Sequence, residues 1–459
     1  MPKLSELQKK DLAHIFHPCS QMKDYEQLPP IVIKKGEGIY VTDEFGNRYM
    51  DCVSSWWVNL FGHANPRLNK ALFEQASTLE HIVFATFSHE PAIELGERLT
   101  RIAPSGLNKL FFTDNGSSSV ETALKMSFQY HQQTGSPRKK KFISLTSGYH
   151  GETLGALGVG DVDIFTQTYR PLIKEGIKVT APHCFKCPHK KNFESCDAEC
   201  FEHMEKAILE NHEEVAAVIF ESIVQGAAGM RIYSPKYLTK LRELTKKFNI
   251  HMIADEIAMG FGRTGKMFAI EHSGVAPDLM CLGKGLTAGY YPMAIVMLTD
   301  QIYDAFYDDY QKGKSFLHSH TYSGNPMGCR LAVETLKIFE EENVLQIIQQ
   351  KGEYLRKKAT ELFSSHPHIG EYRQIGFVGA LEFTFPSTER VGFEIYKIAL
   401  KKGAILRPLG NVIYFIPPYI ITEEEIDKML SICLESIEEF LSTRVENQSK
   451  DITQTIDLF

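Results

Sequence analysis

Seven short apolar runs, at 109–113, 141–146, 177–180, 215–221, 251–255, 279–283 and 293–298, alternate with segments of helical periodicity between about residues 80 and 335. The helical segment after Ser117, VETALKMSFQYHQQ, has its apolar residues at helical spacing. Runs this short, bounded by glycine, proline or charge, are strands buried on both faces of a sheet. Strand–helix alternation of this length predicts an α/β fold with a mostly parallel, doubly wound sheet. Ligands of such sheets lie beyond the carboxyl ends of the strands. Two runs end there in reactive groups: 251–255 delivers Asp255 and Glu256, and 279–283 delivers Lys284 between Gly283 and Gly285.

A buried lysine is rare without a partner or a task. Flanking glycines let the backbone turn sharply while the amine points into a site. Desolvation lowers an amine's pKa, so its neutral form can attack a carbonyl and form a Schiff base. Pyridoxal phosphate requires such a lysine and an acidic group beside its pyridine nitrogen. The same residues also read as a solvated loop lysine and an aspartate capping the next helix.

Other stretches carry chemistry with a plain alternative beside it. Thr113–Ser118 joins a strand to a helix, and free backbone N–H groups there make an anion site, although Asn and Ser are also ordinary caps. Trp56 and Trp57 follow a hairpin pattern at 31–51. Adjacent residues cannot face one side of a strand, so at least one lines a surface other than the core, unless both pack between domains. Arg407 offers a planar fork suited to a carboxylate, or is a surface arginine. Gly260–Gly265 fits G-x-G-x-x-G literally, but it does not directly follow a strand, and no crossover helix opens at it. Cys184, Cys187, Cys196 and Cys200, with His183, His189 and His203, have zinc-site spacing.

Composition removes several classes. A net charge of −7 leaves no basic footprint for nucleic acid or an anionic membrane surface. No apolar run reaches membrane-spanning length, and the charged N-terminal stretch lacks the apolar core of a secretory signal. Nine cysteines then read as reduced thiols of a cytoplasmic protein.

The runs ADEIAMGFGRTGKMFA (254–269) and LGKGL (282–286) resemble the signature of the class III (ω-) aminotransferases of pyridoxal phosphate fold type I, and the likeness extends from about His14 to the last helix. The resemblance implies a large cofactor-binding domain at 80–335 holding a mostly parallel seven-stranded sheet. A small α+β domain at 336–459 is completed by residues 1–79. It implies pyridoxal 5'-phosphate as cofactor, Lys284 as its Schiff-base lysine and Asp255 beside the ring nitrogen. Tyr149 would stack on the ring, and Gly116 and Ser117 would hold the phosphate. Thr321 resembles the threonine that reaches the phosphate of a neighbouring subunit, which implies a homodimer with shared active sites. Glu221 stands where members carry a carboxylate near the cofactor hydroxyl or a substrate arginine.

SSWWVNLFGH (54–63) and ILRPLG (405–410) narrow the implied acceptor to 8-amino-7-oxononanoate, long, apolar and ending in a carboxylate. Trp56 and Trp57 would wall its chain and Arg407 would clamp its acid, with Arg263 and Tyr414 in the same pocket. The implied donor is S-adenosylmethionine or, as in a minority of members, lysine. Cys19 replaces a tyrosine common in the former, and FYDDY at 306–310 is similar to the latter. Many members have Asp where this chain has Glu152, so no catalytic role is carried to Glu152. The chemistry needs no metal, and none is expected in the cysteine loop. The competing functions are another ω-aminotransferase (ornithine, 4-aminobutyrate or a diamine), a nicotinamide oxidoreductase resting on 260–265, and a metal-binding interaction protein resting on the cysteines.

Overall fold

The computed structural model describes residues 4–191, 195–386 and 389–456. The helix Glu6–His14 opens on a capping box: the Ser5 hydroxyl accepts from the Gln8 amide and the Gln8 side chain accepts from the Ser5 amide. Three antiparallel strands follow, β1 (Ile33–Glu37), β2 (Tyr40–Asp43) and β3 (Arg48–Asp51). The Asp43 carboxylate closes the second turn by accepting from the Phe45 and Asn47 amides.

The chain then lays down β4 (Leu107–Thr113), β5 (Lys141–Leu145), β6 (Ile177–Val179) and β7 (Val215–Glu221). A short pair, β8 (Val224–Gln225) and β9 (Arg231–Ile232), precedes β10 (His251–Asp255), β11 (Leu279–Leu282) and β12 (Ala294–Thr299). Seven of these form one sheet in the order β4-β12-β11-β10-β7-β5-β6. All pairs are parallel except those of β12, which is antiparallel to both neighbours. The seven expected strands are present, within a residue or two of their expected bounds. Successive residues feed two cores, as the two-residue period of a strand requires. Val218, Phe220, Met252, Ala254, Met280 and Leu282 join one, and Ala217, Ile219, Ile253, Leu279 and Cys281 join the other. Helices cover both faces: Leu238 and Leu241 from Lys236–Lys247 pack into the first core, and Val120, Ala123 and Leu124 from Gly116–Gln133 into the second.

The last part adds β13 (Ile369–Ile375), β14 (Val378–Phe383), β15 (Ala404–Ile405) and β16 (Val412–Phe415). β13, β14 and β16 form an antiparallel sheet. β15 pairs in parallel with β3, Ala404 opposite Met50 and Ile405 opposite Asp51. That pairing sets the residues after Asp51 beside those after Ile405, and so brings Trp56 to Arg407.

At the opposite end of the large sheet, His131 and His251 stack with ring centroids 4.7 Å apart, both buried. Burial pushes His131 down to about 4 and His251 well below the ordinary range. The unfolded chain takes up these protons from pH 6.5 downward while the folded chain does not, so their contribution is full above pH 6.5 and is lost as pH falls. Glu221 and Glu256, pushed up to about 7 by burial, act in the opposite sense between pH 4.5 and 7. The comparison is therefore made against a variant. Between pH 6.5 and 4, His131→Phe should lose about 3 kcal/mol less stability than wild type, read from denaturant midpoints. Equal losses in the two proteins would remove His131 from this account.

Candidate active site

β10 and β11 lie side by side and parallel, with Asp255 opposite Cys281. Both strands therefore release their chain at the same edge, Asp255 as the last residue of one and Lys284 two residues beyond the other. The turn into the site is made by Lys284 itself, whose φ is +44°. Gly283 is extended, and packing leaves little room at either glycine: a Cβ at Gly283 would stand 3.3 Å from Ile257, and one at Gly285 would stand 3.3 Å from Phe261. The sharp bend expected of the glycines thus falls on the lysine. Burial lowers the Lys284 pKa, Asp255 and Glu221 oppose that shift, and Arg263 adds to it. Its Nζ lies 4.6 Å from the centre of the Trp57 ring.

Asp255 accepts on both oxygens. Oδ1 takes the Ile257 amide at 3.0 Å, and Oδ2 pairs with His150 Nδ1 at 2.8 Å, both groups buried. It therefore caps the following turn, as one reading of this residue expects, and also holds a buried partner. His150 was not singled out from the sequence; a histidine next to Tyr149 gives no sign of a contact 105 residues along the chain. On the neighbouring strand Glu221 stands opposite Asp255 and accepts from the Tyr149 amide at 3.0 Å and the Gly226 amide at 2.7 Å. The Tyr149 hydroxyl donates to Glu152 at 2.8 Å.

These groups converge on a cavity of about 760 Å³ whose lining includes Trp57, Gly116, Ser117, Tyr149, Asp255 and Lys284. Gly116 and Ser117 begin an eighteen-residue helix whose cap, Asn115, accepts from the Ser118 amide. The Gly116 and Ser117 amides remain free for an anion. A second cavity, of about 1030 Å³, is lined by Cys19, Tyr25, Glu152, Phe165, Tyr396 and Arg407, among others. The two adjoin where Trp56 of the first meets the Arg407 guanidinium of the second, 4.2 Å from the ring centre, and where Tyr149 meets Glu152.

Trp56 and Trp57 sit on the tight turn Ser54–Trp57 rather than on a strand. They diverge because of backbone conformation, not strand alternation. Tyr414 is buried behind them, edge-on to Trp57 at 6.0 Å. Arg263 is buried beneath the site and lines neither cavity: it donates to the Asn59 and Pro417 carbonyls and lies over the Tyr419 ring at 5.0 Å. Thr321 is exposed and outside both cavities of its own chain, as are Tyr307 and Tyr310 of the FYDDY run. Cys184, Cys187, Cys196 and Cys200 are free thiols, and residues 192–194 of their loop lie outside the described residues. Among the described residues no three His, Cys, Asp or Glu side chains converge on a metal position.

The lining fits pyridoxal phosphate. It offers an enclosed amine for the aldehyde, a buried carboxylate for the ring nitrogen and free amides at a helix start for the phosphate. His150 Nε2, buried without a partner, adds a polar group beside that carboxylate.

The family described as Aminotransferase class-III matches residues 21–437. A relative from Geobacter sulfurreducens named adenosylmethionine-8-amino-7-oxononanoate aminotransferase is 44% identical over 427 residues, covering 91% of this chain and 94% of its own. A Helicobacter pylori protein of the same name is 43% identical over 434 residues, covering 94% and 97%. Among solved structures, the Methanocaldococcus jannaschii protein of that name superposes with a TM-score of 0.89 at 37% identity, over 94% of this chain and 98% of that one. A Pseudomonas jessenii omega transaminase in complex with PMP superposes with a TM-score of 0.90 at 31% identity, over 95% and 99%.

Proposed function

The chain belongs to the class-III aminotransferases, and on that premise we propose that it transfers an amino group to 8-amino-7-oxononanoate, giving 7,8-diaminononanoate for biotin, with S-adenosylmethionine as donor. The observation that carries this reading is the divergent tryptophan pair: Trp57 covers the Lys284 amine and Trp56 lies against the Arg407 guanidinium. An apolar wall therefore runs from the reacting amine to a cation stacked on Trp56, the shape of an acceptor with a hydrocarbon chain and a terminal carboxylate. The names of the relatives at 43% and 44% identity agree with it.

Lys284 Nζ and Asp255 would hold pyridoxal phosphate by its aldehyde and ring nitrogen, and the amides of Gly116 and Ser117 by its phosphate, with Tyr149 against the ring. When bound, the cofactor supplies an aldehyde for the substrate amine and a pyridinium ring that draws electrons from the neighbouring C–H bond. The Lys284 amine would take the proton from the amine-bearing carbon of the donor and return one at the acceptor carbon. Asp255, oriented by His150, would present its carboxylate to the ring nitrogen. Trp57 excludes water from the amine, and Tyr414 supports it edge-on. Arg407 receives the acceptor carboxylate as a bidentate fork. Donor and acceptor use one site in turn, so ping-pong kinetics are expected.

Thr321, exposed on its own chain, would serve the phosphate of a second copy. Phe73, Phe87, Leu317 and Tyr322, all exposed, supply apolar area for that homodimer. Free thiols and the absence of any helix long and apolar enough to cross a membrane among the described residues agree with a cytoplasmic enzyme.

Arg407→Ala leaves the acceptor carboxylate unpaired in a partly dry pocket, at a cost of about 2–5 kcal/mol by comparison with other truncated charge pairs. kcat/KM for 8-amino-7-oxononanoate should fall at least about 30-fold, and Trp57→Ala should do similar damage through lost burial. If wild type uses 4-aminobutyrate or ornithine as efficiently as the nine-carbon acceptor, this reading fails and a broader ω-aminotransferase takes its place.

A further inference from the structure

The turn that carries the two tryptophans does not hold its shape unaided. Ser54, Ser55 and Trp57 have φ of +49°, +60° and +67°, a left-handed region that side chains other than glycine rarely adopt. Three such residues within four positions need an external hold. Asp51, the last residue of β3 and 1% exposed at its side chain, supplies one. Its Oδ1 accepts from the Ser55 amide at 2.8 Å, and its Oδ2 accepts from the Ser55 hydroxyl at 2.7 Å and pairs with His63 Nε2 at 3.1 Å. His63 is fixed in turn by backbone bonds in both directions with Gly38, at 3.2 and 2.7 Å. The far side of the turn is tied by the Ser54 hydroxyl, which donates to the Ile416 carbonyl at 2.6 Å.

This clamp touches neither cavity, yet it decides where both indoles go. Trp56 and Trp57 leave the turn in opposite senses, one 42% exposed under Arg407 and the other 4% exposed over Lys284. If the turn relaxed toward ordinary dihedral angles, the two rings would no longer span the distance between amine and guanidinium. We propose that Asp51, seated by His63, is a positioning residue that sets the divergent pose of Trp56 and Trp57 and thereby the enzyme's selectivity for a long apolar acceptor. The inference rests on the reading of the two tryptophans as the acceptor's wall.

The chain has only these two tryptophans, so its intrinsic indole emission reports on this turn alone. In the holoenzyme, Asp51→Asn keeps the size of the side chain but weakens the acceptor for Ser55 and His63. Its emission should shift to the red, and KM for 8-amino-7-oxononanoate should rise at least about tenfold while kcat changes less than about threefold. Adding Ser55→Gly to Asp51→Asn should restore both the emission and KM, because glycine holds a positive φ without help. A general loss of packing would not be repaired that way. Unchanged emission and KM in Asp51→Asn, failure of the glycine rescue, or a fall in kcat alone would each overturn the proposal. Where Asp51→Asn does not fold, His63→Ala with and without Ser55→Gly decides on the same criteria. A wild type that ignores the nine-carbon acceptor sinks the functional reading only, since the emission shift and its rescue still decide on the clamp.

Discussion

Lys284→Ala is expected to remove turnover, with kcat down at least about 10⁴-fold, while cofactor still binds non-covalently. The reason lies in position and in proton affinity. Lys284 leaves β11 in a left-handed conformation that aims its amine into the cavity. Burial, opposed by Asp255 and Glu221, lowers its pKa, so a neutral amine is available at a lower pH than for an ordinary lysine. Lys284→Arg keeps a cation near Trp57 but cannot deprotonate in any useful range, and should be as inactive as the alanine variant. Near-wild-type activity in Lys284→Arg would mean that the charge matters and the proton transfer does not. Borohydride treatment of holoenzyme followed by peptide mapping should place the pyridoxyl group on Lys284. A label on any other lysine removes Lys284 from the centre of the site.

The parts of this site legible in the sequence are those that local pattern controls. Asp255 and Lys284 end apolar runs, and a parallel sheet turns that into a shared edge. Gly116 and Ser117 follow a strand and open a helix, which makes their amides free whatever surrounds them. The parts that local pattern does not control depend on contact across the chain. His150 meets Asp255 from 105 residues away. The tryptophan pair suggests strand alternation, whereas Ser54, Ser55 and Trp57 take left-handed conformations with no glycine to mark them, Ser55 bonded to the Asp51 carboxylate and Ser54 to the distant Ile416 carbonyl. Arg263 carries a charge that suggests a ligand, but folding turns it onto the Asn59 and Pro417 carbonyls. β13 shows no apolar strand pattern, because Glu371, Arg373 and Gln374 interrupt it; Arg373 meets Glu371, Glu382 and the Gly229 and Met230 carbonyls once the fold is made.

The second large effect is expected at Asp255. Asp255→Asn preserves shape and one acceptor for the Ile257 amide, and it removes the carboxylate proposed to face the ring nitrogen. Stabilisation by a fixed charge in a site shielded from water is usually a large catalytic term, and single-group losses cost about 10²–10³ in rate. Here the charge also acts through the buried His150 pair, so kcat should fall by at least about 10³, with Kd for the cofactor changing far less. His150→Phe should give a smaller loss of the same kind, because Asp255 keeps its charge but loses its orienting partner. Combining the two should cost little more than Asp255→Asn alone, since residues acting as one unit are not additive. Two losses that simply multiply would separate His150 from the site's chemistry. Activity within a few-fold of wild type in Asp255→Asn would reduce Asp255 to the cap of the turn at Ile257, leaving the protonation of the ring nitrogen to some other group.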